Sequence, residues 1–122
     1  MRYDPDAGPD SAAWLQSSER DRIDAVREGH RRAGVGEGSL EAHSAIHVAV
    51  ENQLAEGHAA ASAAVERLLE EGLGRHEAIH AIASVNSGIF YDMQTSGRPY
   101  SEKDFKKRLK RLTAKRWLRG DF

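Results

Sequence analysis

The sequence predicts an all-α protein, a single compact domain of four or five short helices arranged like a bundle. Three observations predict it. Apolar residues recur at three- and four-residue spacing along most of the chain. Helix-breaking residues fall between those stretches, at Gly34, Gly36, Gly38, Gly57, Gly72, Gly97 and Pro99. Alternating apolar and polar runs of the strand type are nearly absent. A chain of 122 residues, 39% hydrophobic and 30% charged, suits one core under a charged surface.

Taken in order, residues 1–13, with Pro5, Gly8 and Pro9, read as an extended N-terminal arm. Ser17 or Ser18 caps a first helix reaching about Ala33, whose inner stripe is Ile23, Val26, His30 and Ala33. Ser39 caps a second helix to about Glu56, closed by Gly57. A third, alanine-rich helix spans about His58 to Glu71, with Val65, Leu68 and Leu69, and stops at Gly72. The fourth covers about Arg75 to Gln94. Ser101 and Asp104 form a start like a capping box for the fifth, a basic C-terminal helix over 101–119 with Phe105, Leu109 and Leu112 inside.

Composition narrows the chemistry. The chain has no cysteine, which excludes disulfides and thiolate ligands and leaves nitrogen and oxygen donors for any metal. Met1 to Pro9 is polar, unlike a signal peptide, and no run is long enough to span a membrane, so the expected location is the cytoplasm. The net charge of −1 hides an asymmetry: the segment from Arg98 onward carries +7 and the rest −8. Such a tail either docks on the acidic helices of its own chain or meets an anionic partner.

Helical phase points to a site. Wound at the α-helical period, Ile46, Val50, His43, Leu54 and His47 follow one another around the second helix, in that order, within less than a third of its circumference. Both histidines therefore lie within the apolar arc. Glu51 comes next around the axis, at the edge of that arc and one turn beyond His47. On the fourth helix, His76-Glu77-Ala78-Ile79-His80 matches His-Glu-x-x-His. That spacing sets two imidazoles on one helix face to hold zinc, with the intervening Glu as general base. From Ala78 to Tyr91 there is no charged residue, and Ile79, Ile82, Val85, Ile89 and Phe90 surround much of the axis, so this helix is expected to be central. The expected ligands are His43, His47, His76, Glu77, His80 and Glu51. A hydrogen-bonded polar layer is the alternative use of the same histidines. His30 is expected to bond a backbone carbonyl rather than a metal, His58 to be solvated, and Tyr91 to pack in the core.

His43-Ser-Ala-Ile-His47, Glu51-Asn-Gln53 and Glu77-x-x-His80, with Tyr91-Asp-Met-Gln-Thr-Ser-Gly-Arg-Pro-Tyr100 and the Phe105/Leu109/Leu112 helix, carry a resemblance. Over residues 40–112 the chain resembles a bacterial family catalogued as a domain of unknown function, number 1841 of that series. The resemblance implies a helical domain and a site, but no reaction. Relatives keep the equivalents of His43, His47, Glu77 and His80, while other residues stand at the positions of His76 and Glu51. That weakens the protease-like use of His76. Two histidines from one helix and Glu-x-x-His from another is a way helical bundles hold iron, manganese or zinc. The pattern of His30, His47-x3-Glu51 and His76-x3-His80 also looks superficially like haemerythrin-type bundles, although the last helix offers no His-x4-Asp.

The leading expectation is a metal-binding helical protein with a His/Glu site between two helices, holding a divalent transition metal: zinc, iron or manganese. As an enzyme it is a hydrolase of a small molecule or peptide, with Glu77 as the base, ahead of non-haem iron chemistry with Glu77 as a ligand. One alternative is a nucleic-acid- or ribosome-associated module. It would use Lys103, Lys106, Lys107, Arg108, Lys110, Arg111, Lys115, Arg116 and Arg119, with Trp117 as a stacking side chain. The other is a structural homodimer without bound metal.

Overall fold

The helix boundaries follow from short-range chemistry at each end. In the computed structural model of the chain, residues 1–32 and 40–120 are described, apart from the side chains of 40 and 41. Among them are seven helices and no strand: α1 Ser11–Gln16, α2 Glu19–Arg32, α3 Leu40–Ala55, α4 Ala59–Glu70, α5 Arg75–Ser96, α6 Glu102–Arg111 and α7 Ala114–Arg119. The expected four or five become seven because both ends of the chain differ from expectation. The arm is not extended throughout: Asp10 accepts a hydrogen bond from the Ala13 amide and starts α1. The expected helix over 101–119 is two helices. Leu112 turns extended, and Thr113 caps α7 by accepting from the Arg116 amide.

Elsewhere the local signals act as expected. Ser18 Oγ accepts from the Asp21 amide at the start of α2. Gly57 and Gly97 follow α3 and α5 in the left-handed region, at φ +75° and +73°. Ser101 caps α6 through the Asp104 amide. His58 is more than a solvated ring, since it caps α4 by accepting from the Ala61 amide and pairs with Glu102. The Gly34/Gly36/Gly38 break, the end of the first helix at Ala33 and the Ser39 cap lie outside the described residues.

α3 packs against α1, α2, α4 and α5, and α5 against α3, α4 and α6. Val50 of α3 joins the main core, with Leu68, Ile79, Ile82, Phe105, Leu109 and Leu112. Val48 faces a second cluster with Tyr3, Trp14, Ala25 and Val26. Thus α3 is buried on two faces rather than on one apolar arc, and Ser44 is buried with it. The expectation that α5 is central fails at its far end. Phe90 and Tyr91 are 51% and 66% exposed, because among the described residues that turn is covered only on the side of Ile89 and Asp92, against the core and α6. No described helix is long and apolar enough to cross a membrane.

Both ends of the chain are tied into this frame. Tyr3 is buried, its carbonyl accepts from Arg32, and the Pro5 carbonyl accepts from Arg75. Gly29 permits this close approach: a Cβ there would lie 2.7 Å from the Tyr3 carbonyl oxygen. At the other end, the Ala114 amide donates to Glu71, Arg67 donates to the Leu109 carbonyl, and Arg108 pairs with Asp92 and Asp104. The basic tail therefore docks on its own chain.

Candidate metal centre

Three helices deliver five imidazoles to one place: His30 from α2, His43 and His47 from α3, and His76 and His80 from α5. The ring centre of His30 lies 4.9, 4.6 and 5.0 Å from those of His43, His47 and His76. His80 lies 4.9 and 5.1 Å from His43 and His47. Each of His30, His43 and His47 offers one ring nitrogen, and the three lie within 4.8 Å of one another. His30 and His47 are fully buried, and His43 partly so.

Protonation follows from the contacts. His30 Nδ1 stands 2.7 Å from the Val26 carbonyl oxygen, which can only accept, so Nδ1 carries the proton. That leaves Nε2 as the ring nitrogen turned toward the other imidazoles. His76 Nε2 lies 3.2 Å from it, within hydrogen-bond reach. An ion held between them would take the lone pairs of both nitrogens, the His76 proton then standing on Nδ1. With tetrahedral bonds of about 2.0–2.1 Å, two ligand nitrogens stand about 3.3 Å apart, close to this spacing. The remaining rings are less well satisfied. His43 Nε2 and both nitrogens of His47 are buried with no hydrogen-bond partner in the protein. Leaving a buried polar atom unpaired costs about 1–3 kcal/mol.

Burial, followed by repulsion from the neighbouring imidazoles, lowers the His43 pKa to about 4 and that of His47 to about 2. His76 is lowered for the same reasons, against the opposing pull of Asp6 and Glu77. His80 is lowered by burial despite Glu77. At neutral pH these rings are uncharged Lewis bases in the protonation state that a metal requires.

The carboxylates expected at the site are otherwise engaged. Glu51 is buried at the edge of the cluster. Its two oxygens take both arms of the Arg75 guanidinium at 2.8 Å, and one also accepts from the Tyr3 hydroxyl. Burial and Glu51 push the Tyr3 hydroxyl pKa up. Burial opposes the Arg75 charge, but Glu51 more than offsets it and raises the guanidinium pKa. Glu77 is exposed, close enough for its charge to act on His76 and His80, and accepts from Trp117 Nε1, while the Trp117 ring lies 5.7 Å from that of His80. Tyr91, expected to pack in the core, is instead exposed. His58 lies away from the cluster, against Phe105.

Sequence reasoning undervalued His30, although its position one turn beyond Val26 on the inner stripe was the signal. The carbonyl bond expected of it is present, and that bond is what frees Nε2 for the cluster. No family model, curated protein or solved structure compared with the chain matches it.

Proposed function

We propose that this chain is a metal-binding helical protein in which His30, His43 and His47 hold one divalent transition-metal ion, with His76 as fourth ligand and His80 beside it. The observation that carries this reading is the three buried ring nitrogens of His43 and His47 on α3 that have no protein partner among the described residues, on rings held neutral, with a ring nitrogen of His30 from α2 within ligand reach of them. Nitrogen donors without thiolates suit zinc or iron(II) better than manganese. An all-imidazole set is uncharged, so the ion would keep its full 2+ charge. Such an ion would supply acidity to a bound water, and Glu77, whose charge reaches both His76 and His80, would be the base for its proton once Trp117 releases it. A hydrolase acting on a small molecule or peptide is therefore the enzymatic form of this reading. Membership of the 1841 family belongs to the same proposal: of its four shared positions, His43, His47 and His80 stand in the cluster and Glu77 close to it.

Elemental analysis of protein purified without added metal tests it. We expect close to one equivalent of zinc or iron, retained on desalting, and lost in His30→Ala and His47→Ala but not in His58→Ala. Less than about a tenth of an equivalent of every transition metal, before and after reconstitution, overturns the proposal. In that case the histidines are a polar layer, and a metal-free scaffold or homodimer is what remains.

A further inference from the structure

α5, α6 and α7 enclose a second concave site that none of the five histidines lines. It is an open cleft of about 440 Å³, with Ser84, Val85 and Gly88 on one wall and Asp104, Lys107, Arg108, Arg111 and Arg116 on the other. This volume falls in the range of small-molecule sites, about 300–1,000 Å³. The spacing 104, 107, 108, 111 is one face of α6. Gly88 keeps the cleft open opposite Arg108: a Cβ there would stand 3.2 Å from Arg108 Nη1.

The charges in the cleft do not balance. Asp104 is its one lining carboxylate, and it is taken by Arg108, which also pairs with Asp92. Lys107, Arg111 and Arg116 have no carboxylate partner among the described residues; Arg116 reaches the Arg111 carbonyl at 3.5 Å. Three cationic heads around a concave surface call for a compact, multiply charged anion, and Val85 adds an apolar contact on the opposite wall. We infer that this cleft binds a phosphorylated small molecule, the phosphate held by Lys107, Arg111 and Arg116 and the organic part lying along Val85.

A nucleic-acid strand fits less well, because strand binding draws on aromatic platforms along the groove and, among the described residues, no aromatic ring lines this cleft; the exposed Phe90 and Tyr91 of α5 lie outside its lining. Trp117 is turned inward to Glu77 and His80. The Tyr100 hydroxyl is bonded to Glu102, and its ring leans on Phe105. Lys103, Lys106 and Lys110 line a more open depression on the outer side of α6, with Lys107 shared between it and the cleft.

Phenyl phosphate titrated into isotope-labelled protein, read by amide shifts, tests the inference. Saturable shifts are expected over residues 84–88 and 107–116, at lower concentration than with inorganic phosphate. Lys107→Ala/Arg111→Ala should weaken binding about tenfold. Gly88→Leu, which fills the cleft without changing its charge, should do the same. Lys103→Ala/Lys110→Ala and His47→Ala should leave it unchanged, the latter separating this site from the metal centre. Non-saturating shifts, or equal weakening by the two lysine-containing pairs, overturn the inference. So does a ten-nucleotide single strand that binds more tightly than phenyl phosphate and depends on both pairs. The Lys107/Arg111 pair lies at the surface, so its result stands even if Gly88→Leu fails to fold.

Discussion

Arg75, Glu51 and Tyr3 show how one turn of helix separates two roles. Glu51 follows His47 by four residues, yet its carboxylate is held away from the ring nitrogens by a bidentate guanidinium and a phenol. Removing one member of a buried pair strands the other charge, at about 3–5 kcal/mol. Arg75→Met should therefore lower stability in urea by about 3 kcal/mol, and Glu51→Met combined with it should restore most of the loss. If the double variant is no more stable than Arg75→Met, the stranded-charge account is wrong. The histidines set a pH dependence. His43 titrates near 4 when folded against an ordinary 6.5, so the unfolded chain takes up protons first as pH falls. Metal-free protein should be equally stable at about pH 7.5 and 8.5 and lose stability from about 6.5 down toward 4. His47, His76 and His80 act in the same direction. His43→Gln should flatten part of that slope in urea midpoints, and an unchanged slope would remove His43 from the account.

At the scale of the element, propensity and packing give opposite signs at Gly29. An alanine inside a helix is normally favoured over glycine by about 1 kcal/mol. At this position the added methyl meets the Tyr3 carbonyl oxygen at 2.7 Å and would displace the arm that carries Tyr3 to Glu51. Gly29→Ala should therefore destabilise by about 1 kcal/mol or more, with faster amide exchange over residues 3–8. A stabilised variant would mean that the arm yields at no cost. The split between α6 and α7 is also an element-level effect. A buried Leu112 and a capping Thr113 end one helix and start another within a segment whose basic pattern alone suggested one.

For the whole molecule, the C-terminal segment matters more as core than as charge. Phe105, Leu109, Leu112 and Ala114 are all buried within the main cluster, and each large side chain among them contributes about 1.5–3 kcal/mol by burial. A chain ending at residue 100 should thus lose cooperative unfolding rather than yield a soluble protein without a tail. Circular dichroism during thermal melting checks this, and a sharp transition within a few degrees of the full chain would contradict it. The proposed metal would add a second global term, since an ion at about a thousand times its dissociation constant raises stability by about 4 kcal/mol.

The amino-acid sequence determined most helices and their stops, because caps, glycines and apolar spacing act within a few residues. It also set His43 and His47 on a common, inward-facing arc, since four residues are about one turn. Other features rest on contacts between distant parts of the chain, and tertiary structure decided them. His30 meets His76 across 46 residues, Glu51 finds Arg75 across 24 and Tyr3 across 48, and Glu77 takes Trp117 across 40. Periodicity says which face of a helix is buried but not which side chain stands opposite. For that reason the ladder from His43 to Glu51 was legible while the diversion of its carboxylate was not. His30 changed from a bystander to a member of the cluster only when α2 packed on α3, with one ring nitrogen held by its own helix and the other left for the site.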